Sequence, residues 1–158
     1  MSDAMRKGGM LALFIGVCLG GGGLGSLATT AAIPTWYAGL AKPAWTPPNA
    51  VFGPVWTALY VMIGIAGWVT SRRSRKDLLI LWFLQLALNF AWTPLFFGAH
   101  EIGWGLLDIF VMWLLIGWFI AASWRPAKPA AILFLPYWAW VSYATALNYA
   151  IWTLSRSG

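Results

Sequence analysis

Charged residues are scarce in this chain of 158 residues, in which Asp, Glu, Lys and Arg together make up 9% of the sequence. Soluble domains carry about 25% charged residues, so the shortage excludes a soluble globular domain. The connections between the apolar segments are too short to fold independently, which also excludes an appended catalytic domain. Functional residues are therefore expected within the apolar segments or in the first connection between them.

Metal-binding and redox residues are scarcer still, because the chain has one cysteine, one histidine and four acidic residues. The lone Cys18 forms no intramolecular disulfide and no cysteine-based metal site, and His100 by itself makes no zinc site. The sequence also lacks a set of nucleophile, base and orienting residue. We therefore expect no metal, no catalytic residues and no obligatory cofactor.

Hydrophobic residues are abundant at 61%, and the mean hydropathy is +0.73. A helix needs about 20 apolar residues to cross the hydrocarbon core of a bilayer, and five stretches meet this requirement. They lie at roughly 9–29, 50–70, 78–97, 102–123 and 130–154. The sequence predicts an all-α integral membrane bundle of five transmembrane helices, a single domain over 1–158, in which loop one covers residues 30–49.

The net charge of +6 comes from basic residues that flank the apolar stretches. Basic residues in this position orient helices in the membrane and contact anionic headgroups, so nucleic acid is excluded as a partner. Eight of the ten Lys and Arg residues lie in the N-terminal segment and in the loops 71–77 and 124–129, and only Lys42 and Arg156 lie opposite. By the positive-inside rule the N-terminus is cytoplasmic and the C-terminus non-cytoplasmic. This bias and the helical spans favour a bacterial inner membrane.

The first apolar stretch resembles a cleaved signal peptide, but it contains the run Gly20 to Gly23. Gly16 with Gly20, and Gly21 with Gly25, have the small-xxx-small spacing that lets membrane helices approach closely. Two interpretations stay open: a dimer face, or a loosely packed helix that is weak at its glycines.

Three polar residues are predicted at similar depth beneath loop one. At 1.5 Å per residue, Asp108 lies roughly 9 Å and Asn89 roughly 12 Å below the non-cytoplasmic surface, and Asn148 is near the depth of Asp108. An ionisable residue inside a span marks a functional site or a buried pair. Asp108 could contact a ligand, or could accept hydrogen bonds from the two asparagines or from indole N–H groups.

The thirteen tryptophans suggest two roles. Those near the span ends suit an aromatic belt at the headgroups, which does not explain the deeper Trp56, Trp104, Trp113, Trp138 and Trp140. In the fifth span one helical stripe is formed by Trp140, Ala144, Leu147, Asn148 and Ile151. Such a stripe is typical of a bundle core, but the small Ala144 among large rings is also a gap through which a flat ligand could enter.

The segment KPAWTPP at residues 42–48 precedes the second span. Proline fixes φ and holds the preceding residue extended, so this segment is expected to be a stiff, non-helical strap. With Trp45 on its underside, the strap could cap an apolar cavity as a lid. It could equally be a rigid connector with an interfacial anchor.

These residues carry a resemblance to the TspO/MBR family of tryptophan-rich sensory proteins, related to the mitochondrial translocator protein or peripheral benzodiazepine receptor. The matching motifs, in order from residue 42 to 152, are KPAWTPP, FGPVWTALY, QLALNFAWTPLFFG, GWGLLD and LPYWAWVSYATALNYAIW. The resemblance implies a five-helix bundle, often a homodimer, that binds protoporphyrin IX, haem, sterols and benzodiazepine-type ligands under loop one. The implied ligand-binding positions are Phe52, Val55, Trp56, Trp104, Asp108, Trp140, Ala144, Leu147 and Asn148.

The family's vertebrate sterol motif is imperfect here, because Arg156 follows Tyr149 after six intervening residues instead of one to five. A tetrapyrrole is therefore favoured over a sterol as the ligand. The sequence favours a receptor or sensor that binds porphyrin or haem. The alternatives are a transporter of porphyrin or sterol-like molecules and an enzyme that degrades porphyrin with light and oxygen.

Overall fold

The computed structural model describes residues 2–157, in which all regular secondary structure is helical. The five long helices are α1 (Asp3–Ala32), α2 (Asn49–Ser71), α3 (Lys76–Thr93), α4 (Ile102–Ser123) and α5 (Lys128–Arg156). A π-helical turn, Pro94–Gly98, continues α3, and a short 3₁₀ helix, Tyr37–Gly39, lies in loop one. All five helices are long and apolar enough to cross a membrane. The predicted all-α bundle of five transmembrane helices is confirmed.

Helix α1 begins before its apolar stretch does, because its first turn is capped. The Ser2 hydroxyl accepts a hydrogen bond from the Met5 backbone N–H at 3.2 Å, which satisfies one of the free donors of the first turn. Asp3 in that turn forms an ion pair with Lys7 at 2.6 Å, one turn further along. Polar residues thus extend the helix beyond the part that hydrophobicity alone requires.

The helices form a ring in the order α1, α2, α5, α4, α3. Helix α4 packs on α5 and α3, and α1 packs on α2 and α3, while α2 also packs on α5. The chain order of the helices differs from their order around the ring, because α5 inserts between α2 and α4. As a result the stripe of Trp140, Ala144, Leu147 and Asn148 on α5 lies beside α2. The order of the helices along the chain does not by itself predict this neighbour.

The glycine run of α1 is continuous helix, and its members face different neighbours. A Cβ at Gly21 would lie 2.2 Å from the Phe90 ring of α3, and a Cβ at Gly22 would lie 2.2 Å from the Tyr60 ring of α2. Gly20 has no described heavy atom within 4 Å of such a Cβ. The run therefore lets α1 approach α2 and α3 on one side and leaves an open face on the other.

Replacing Gly64 with Ala is expected to destabilise the bundle, because Gly64 sets the approach of α2 to α1. A Cβ there would lie 2.7 Å from the Ile15 Cα atom, which is backbone and cannot rotate away. Overpacking of this kind costs about 1–3 kcal/mol. Thermal unfolding in detergent should show a lower Tm for Gly64→Ala. The matched Gly20→Ala variant, with open space at its Cβ, should keep or raise the Tm, and equal losses in both variants would contradict the close-approach explanation.

Candidate ligand-binding site

The larger internal cavity, about 350 Å³, lies between α1, α2 and α3 and reaches α4. Its volume falls within the range of about 300–1,000 Å³ that is typical of small-molecule sites. Aromatic rings and hydroxyl or amide groups share its wall. The lining residues are Leu19, Gly22, Gly23, Ser26, Thr29, Thr30, Ile33, Asn49, Phe52, Gly53, Trp56, Thr57, Tyr60, Asn89, Trp92, Thr93, Phe97, Ile109 and Met112.

A second, smaller cavity of about 30 Å³ adjoins the first on the α5 side. It is lined by Tyr37, Phe52, Trp56, Trp92, Phe96, Phe97, Trp140, Ala144, Leu147, Asn148 and Ile151. Four aromatic side chains, Phe52, Trp56, Trp92 and Phe97, line both cavities. The two cavities therefore share an aromatic wall, and we call them the wide and the narrow compartment of one aromatic chamber.

The structure brings most of the predicted site residues to this chamber. Phe52 and Trp56 line both compartments, the α5 stripe of Trp140, Ala144, Leu147 and Asn148 lines the narrow one, and Asn89 lines the wide one. Val55 is half-buried and packs against the core beside them. The predicted gap at Ala144 coincides with the narrow compartment, but that space holds about one water molecule and not a flat ligand.

Four predicted residues line neither compartment: Trp45, Val55, Trp104 and Asp108. Trp104 is 63% exposed, whereas Gly105 and Asp108 of the same helix are buried. Trp104 is four residues from Asp108, only about 40° away around the helix, so its exposed ring lies at the edge of the buried face. Trp45 is 47% exposed, and its ring packs on Tyr143 of α5 at 5.6 Å.

Asp108 is buried, and its Oδ2 atom has no hydrogen-bond partner within residues 2–157. Both asparagines that could have paired with it are engaged elsewhere. Asn148 accepts from the Trp92 indole N–H at 3.1 Å and donates to the Ile102 carbonyl at 3.1 Å. Within the described chain, the internal pairing that the sequence left open for Asp108 Oδ2 is not formed.

Asn89 belongs to a buried hydrogen-bonded network that joins three helices. The Tyr60 hydroxyl donates to Asn89 Oδ1 at 2.7 Å, and Asn89 Nδ2 donates to the Tyr137 hydroxyl at 2.7 Å. Tyr137 donates in turn to Gln85 Oε1 at 2.8 Å. Since every partner is satisfied, the network fixes the positions of α2, α3 and α5 around the chamber. Tyr60 and Asn89 also form part of its wall.

The Trp140 indole Nε1 atom is buried and has no hydrogen-bond partner within the described residues. Its ring lies at the narrow compartment, where it meets the Phe52 ring edge to face at 6.0 Å. Buried indole N–H groups usually find an acceptor, and leaving a donor unpaired costs about 1–3 kcal/mol. The wall of the chamber thus contains an unused donor that an acceptor group could satisfy.

Loop one is tied to the bundle at both ends of its length. Tyr37 is buried and packs on Phe97 of the π-helical turn at 5.5 Å, and its burial raises the pKa of its phenol, with Tyr143 adding to the rise. Lys42 Nζ donates to the Tyr37 carbonyl at 2.6 Å and lies over the Tyr37 ring. At the other end the Tyr143 hydroxyl donates to the Trp45 carbonyl at 2.5 Å. Loop one therefore packs on helices as well as over the chamber.

The α1 side of the chamber was missed from the sequence. Ser26, Thr29 and Thr30 line the wide compartment, and their hydroxyls donate to backbone carbonyls of α1 itself. Their spacing of three and four residues was a usable signal, because it places all three on one helix face. The missing information was that α1 closes the ring between α2 and α3.

The chain is similar in sequence to known membrane proteins along most of its length. The sequence profile of the TspO/MBR family matches residues 14–153, which include part of every long helix. The chain is 40% identical over 152 residues to the Tryptophan-rich protein TspO of Chlorobaculum tepidum, covering 92% of this chain and 95% of that protein. It is 43% identical over 127 residues to the Translocator protein of Homo sapiens, covering 74% and 73%. It is 37% identical over 129 residues to the Tryptophan-rich sensory protein of Cereibacter sphaeroides, covering 79% and 82%.

Proposed function

This chain belongs to the TspO/MBR family, and on that premise we propose that it is a membrane receptor or sensor for tetrapyrroles, protoporphyrin IX or haem, bound in the aromatic chamber. The family relationship supports a role in the membrane, and the residues of the chamber support the class of ligand.

The observation that carries the proposal is the unpartnered indole N–H of Trp140 in an aromatic wall. Phe52, Trp56 and Trp92 supply flat faces for a macrocycle, and aromatic faces stack favourably on one another. Acceptor groups at the edge of a tetrapyrrole, such as its carboxylates, would satisfy the Trp140 donor. A purely aliphatic ligand would leave that donor unpaired.

Binding requires the two compartments to merge, since the narrow one holds only about 30 Å³. Rotation of Phe52, which is half-buried and lines both compartments, would join them. The ligand would then lie between α2 and α5, with the wide compartment accommodating the rest of the ring. The satisfied network of Tyr60, Asn89 and Tyr137 would form a fixed floor.

The experiment that tests the function is a titration of the purified protein with protoporphyrin IX and with haem, followed by absorbance in darkness and under illumination. A receptor should bind one pigment per chain and leave its absorbance unchanged in both conditions. Saturable binding followed by progressive bleaching in light would instead support the porphyrin-degrading enzyme. Failure to bind either pigment would contradict the proposal.

We further propose that the protein lies in a bacterial inner membrane with its N-terminus in the cytoplasm, because basic residues cluster at the N-terminus and in the loops after α2 and α4. A reporter fused after Arg156 should therefore be active on the non-cytoplasmic side. A reporter inserted after Ser74 should be active in the cytoplasm. The opposite labelling of both fusions would contradict this orientation and would place the chamber in the cytoplasmic half.

A further inference from the structure

A second large concave surface lies on the outer side of the bundle, between α4 and α5. This groove has a volume of about 630 Å³ and an almost wholly apolar lining. It is formed by Gly103, Leu106, Leu107, Phe110, Trp113, Ser142, Thr145, Ala146, Tyr149 and Trp152. None of these residues lines the aromatic chamber, so the groove is a separate feature of the molecule.

Hydrogen bonds and stacked rings fix one wall of the groove. Trp113 stacks on Phe110 at 6.1 Å and on Trp138 at 5.4 Å, with interplanar angles of 15° and 22°. The Trp113 indole donates to the Ser142 hydroxyl at 2.7 Å, and the Trp138 indole donates to the Trp113 carbonyl at 3.1 Å. The wall is therefore held in place without an occupant.

Two hydroxyl groups in the middle of the groove are also satisfied within the protein. Ser142 donates to the Trp138 carbonyl at 2.7 Å, and Thr145 donates to the Val141 carbonyl at 2.7 Å. A ligand in this part of the groove would find no free donor. The chemistry of the lining thus favours a hydrocarbon chain over a ligand with polar groups, such as a tetrapyrrole.

The length of the groove matches one leaflet of a bilayer. From Ser142 to Trp152 along α5 the lining extends about 15 Å, which is half of the hydrocarbon core of about 30 Å. The volume spread over this length gives a mean cross-section of about 42 Å². An elongated apolar space of this kind suits an extended acyl chain.

Hydrogen-bond donors and a positive charge gather at the C-terminal end of α5, where the groove ends. The Arg156 guanidinium lies 4.7 Å from the centre of the Trp152 ring, and Tyr149 is on the same helix face. Within residues 2–157 the ion pairs join Lys7 to Asp3 and Arg75 to Asp77, so Arg156 forms none. An arginine recognises a phosphate oxygen well, because its guanidinium offers several fixed donors.

We propose that the groove between α4 and α5 binds one anionic membrane phospholipid, with its acyl portion along Trp113 and Phe110 and its phosphate at Arg156. The apolar lining favours the acyl chain of the lipid, and the positive charge of Arg156 favours an anionic headgroup. This site does not depend on tetrapyrrole binding, because the two surfaces share no lining residue.

Native mass spectrometry of the full chain in detergent tests the proposal, with phosphatidylglycerol and phosphatidylcholine of the same acyl chains as probes. The wild type should retain one phosphatidylglycerol at least fivefold more than phosphatidylcholine. Ala146→Trp fills the groove and should lower retention of both lipids at least fivefold. Arg156→Gln should remove the preference between headgroups while phosphatidylcholine retention stays unchanged.

Matched controls separate the groove from the rest of the lipid-facing surface. Ala12→Trp adds the same ring to an exposed position of α1, and Arg125→Gln removes an exposed charge from the loop after α4. Both controls should retain phosphatidylglycerol like the wild type. Porphyrin binding should be unchanged in Ala146→Trp, so a failed lipid result is distinguishable from a failed tetrapyrrole result.

Several outcomes would overturn the lipid site. Unchanged lipid retention in Ala146→Trp, or an equal loss in Ala12→Trp, would show that the groove is not the binding surface. A change of oligomeric mass in Ala146→Trp would assign the face to a subunit interface. If Ala146→Trp does not fold, Arg156→Gln is the decisive variant, because an exposed residue at a helix end can be replaced without unfolding the protein. An undiminished headgroup preference in Arg156→Gln would contradict the proposal.

Discussion

Replacing Ala144 with Phe is expected to lower the affinity for protoporphyrin IX at least tenfold, about 1.4 kcal/mol. Ala144 lies at the narrow compartment of the chamber, where the space is about 30 Å³ and the Trp140 ring is one turn away on α5. A phenyl group would fill that space and keep the two compartments from merging. The measurement is an equilibrium titration in darkness, with the pigment absorbance as signal.

The matched control for this substitution is Ala139→Phe, which adds the same ring to an exposed position on α5. It should bind porphyrin like the wild type and unfold at a similar temperature. If Ala144→Phe folds and keeps its affinity, Ala144 does not belong to the site. If it fails to fold while Ala139→Phe is stable, Ala144 is required for helix packing, and Trp140→Phe, which removes the indole donor and keeps a ring, becomes the decisive variant.

Loosening the strap of residues 42–48 is expected to speed porphyrin dissociation at least fivefold and to leave association equal or faster. Pro47 and Pro48 hold the strap extended, and their replacement by Gly restores backbone freedom. Preorganised segments raise affinity mainly by slowing dissociation. Stopped-flow binding of the wild type and the double variant in one detergent measures both rates, with thermal stability recorded without ligand.

The contact between Trp45 and Tyr143 gives this prediction a sharper control. Tyr143→Phe removes the 2.5 Å hydrogen bond to the Trp45 carbonyl and keeps the ring on which Trp45 packs. A lid should release porphyrin faster in this variant too. Unaltered kinetics in both variants, together with a large loss of stability without ligand, would identify the strap as a structural connector between α1 and α2.

The stability of loop one is a point on which the structure refines the sequence argument. The prolines predict a stiff strap but leave open whether it acts as a lid or as a connector. Tyr37 is buried against Phe97, and Lys42 caps carbonyls of the loop. The double proline variant should therefore lose some stability, but less than a change at Tyr37, which anchors the opposite part of the loop.

The sequence was sufficient for the helices, because the length of an apolar stretch is set by the bilayer. It was also sufficient for the α5 stripe, since the four residues from Trp140 to Asn148 share one face at helical periodicity and a single helix decides that face. Neither inference needs knowledge of which helix lies next to which. Helical periodicity likewise places the α1 hydroxyls on one face. It does not show that this face borders the chamber, because that depends on which helices pack on α1.

Relative rotation of helices was not available from the sequence. The family resemblance implies that Trp104 and Asp108 both contact the ligand. In the structure Asp108 is buried, Trp104 is exposed and neither lines the chamber, because the packing of α4 on α3 and α5 decides which side chains are buried. Gly105 permits this close packing, since a Cβ there would lie 3.3 Å from Phe96.

The most direct test of the central claim is a structure of the protein with protoporphyrin IX bound, determined on a sample kept in darkness. The pigment should lie between α2 and α5, stacked on Trp56 or Trp140, with the Trp140 indole N–H donating to it and Phe52 rotated out of the space between the compartments. Pigment found instead in the groove between α4 and α5, or on the outer surface with both compartments unchanged, would contradict the assignment of the chamber as the tetrapyrrole site.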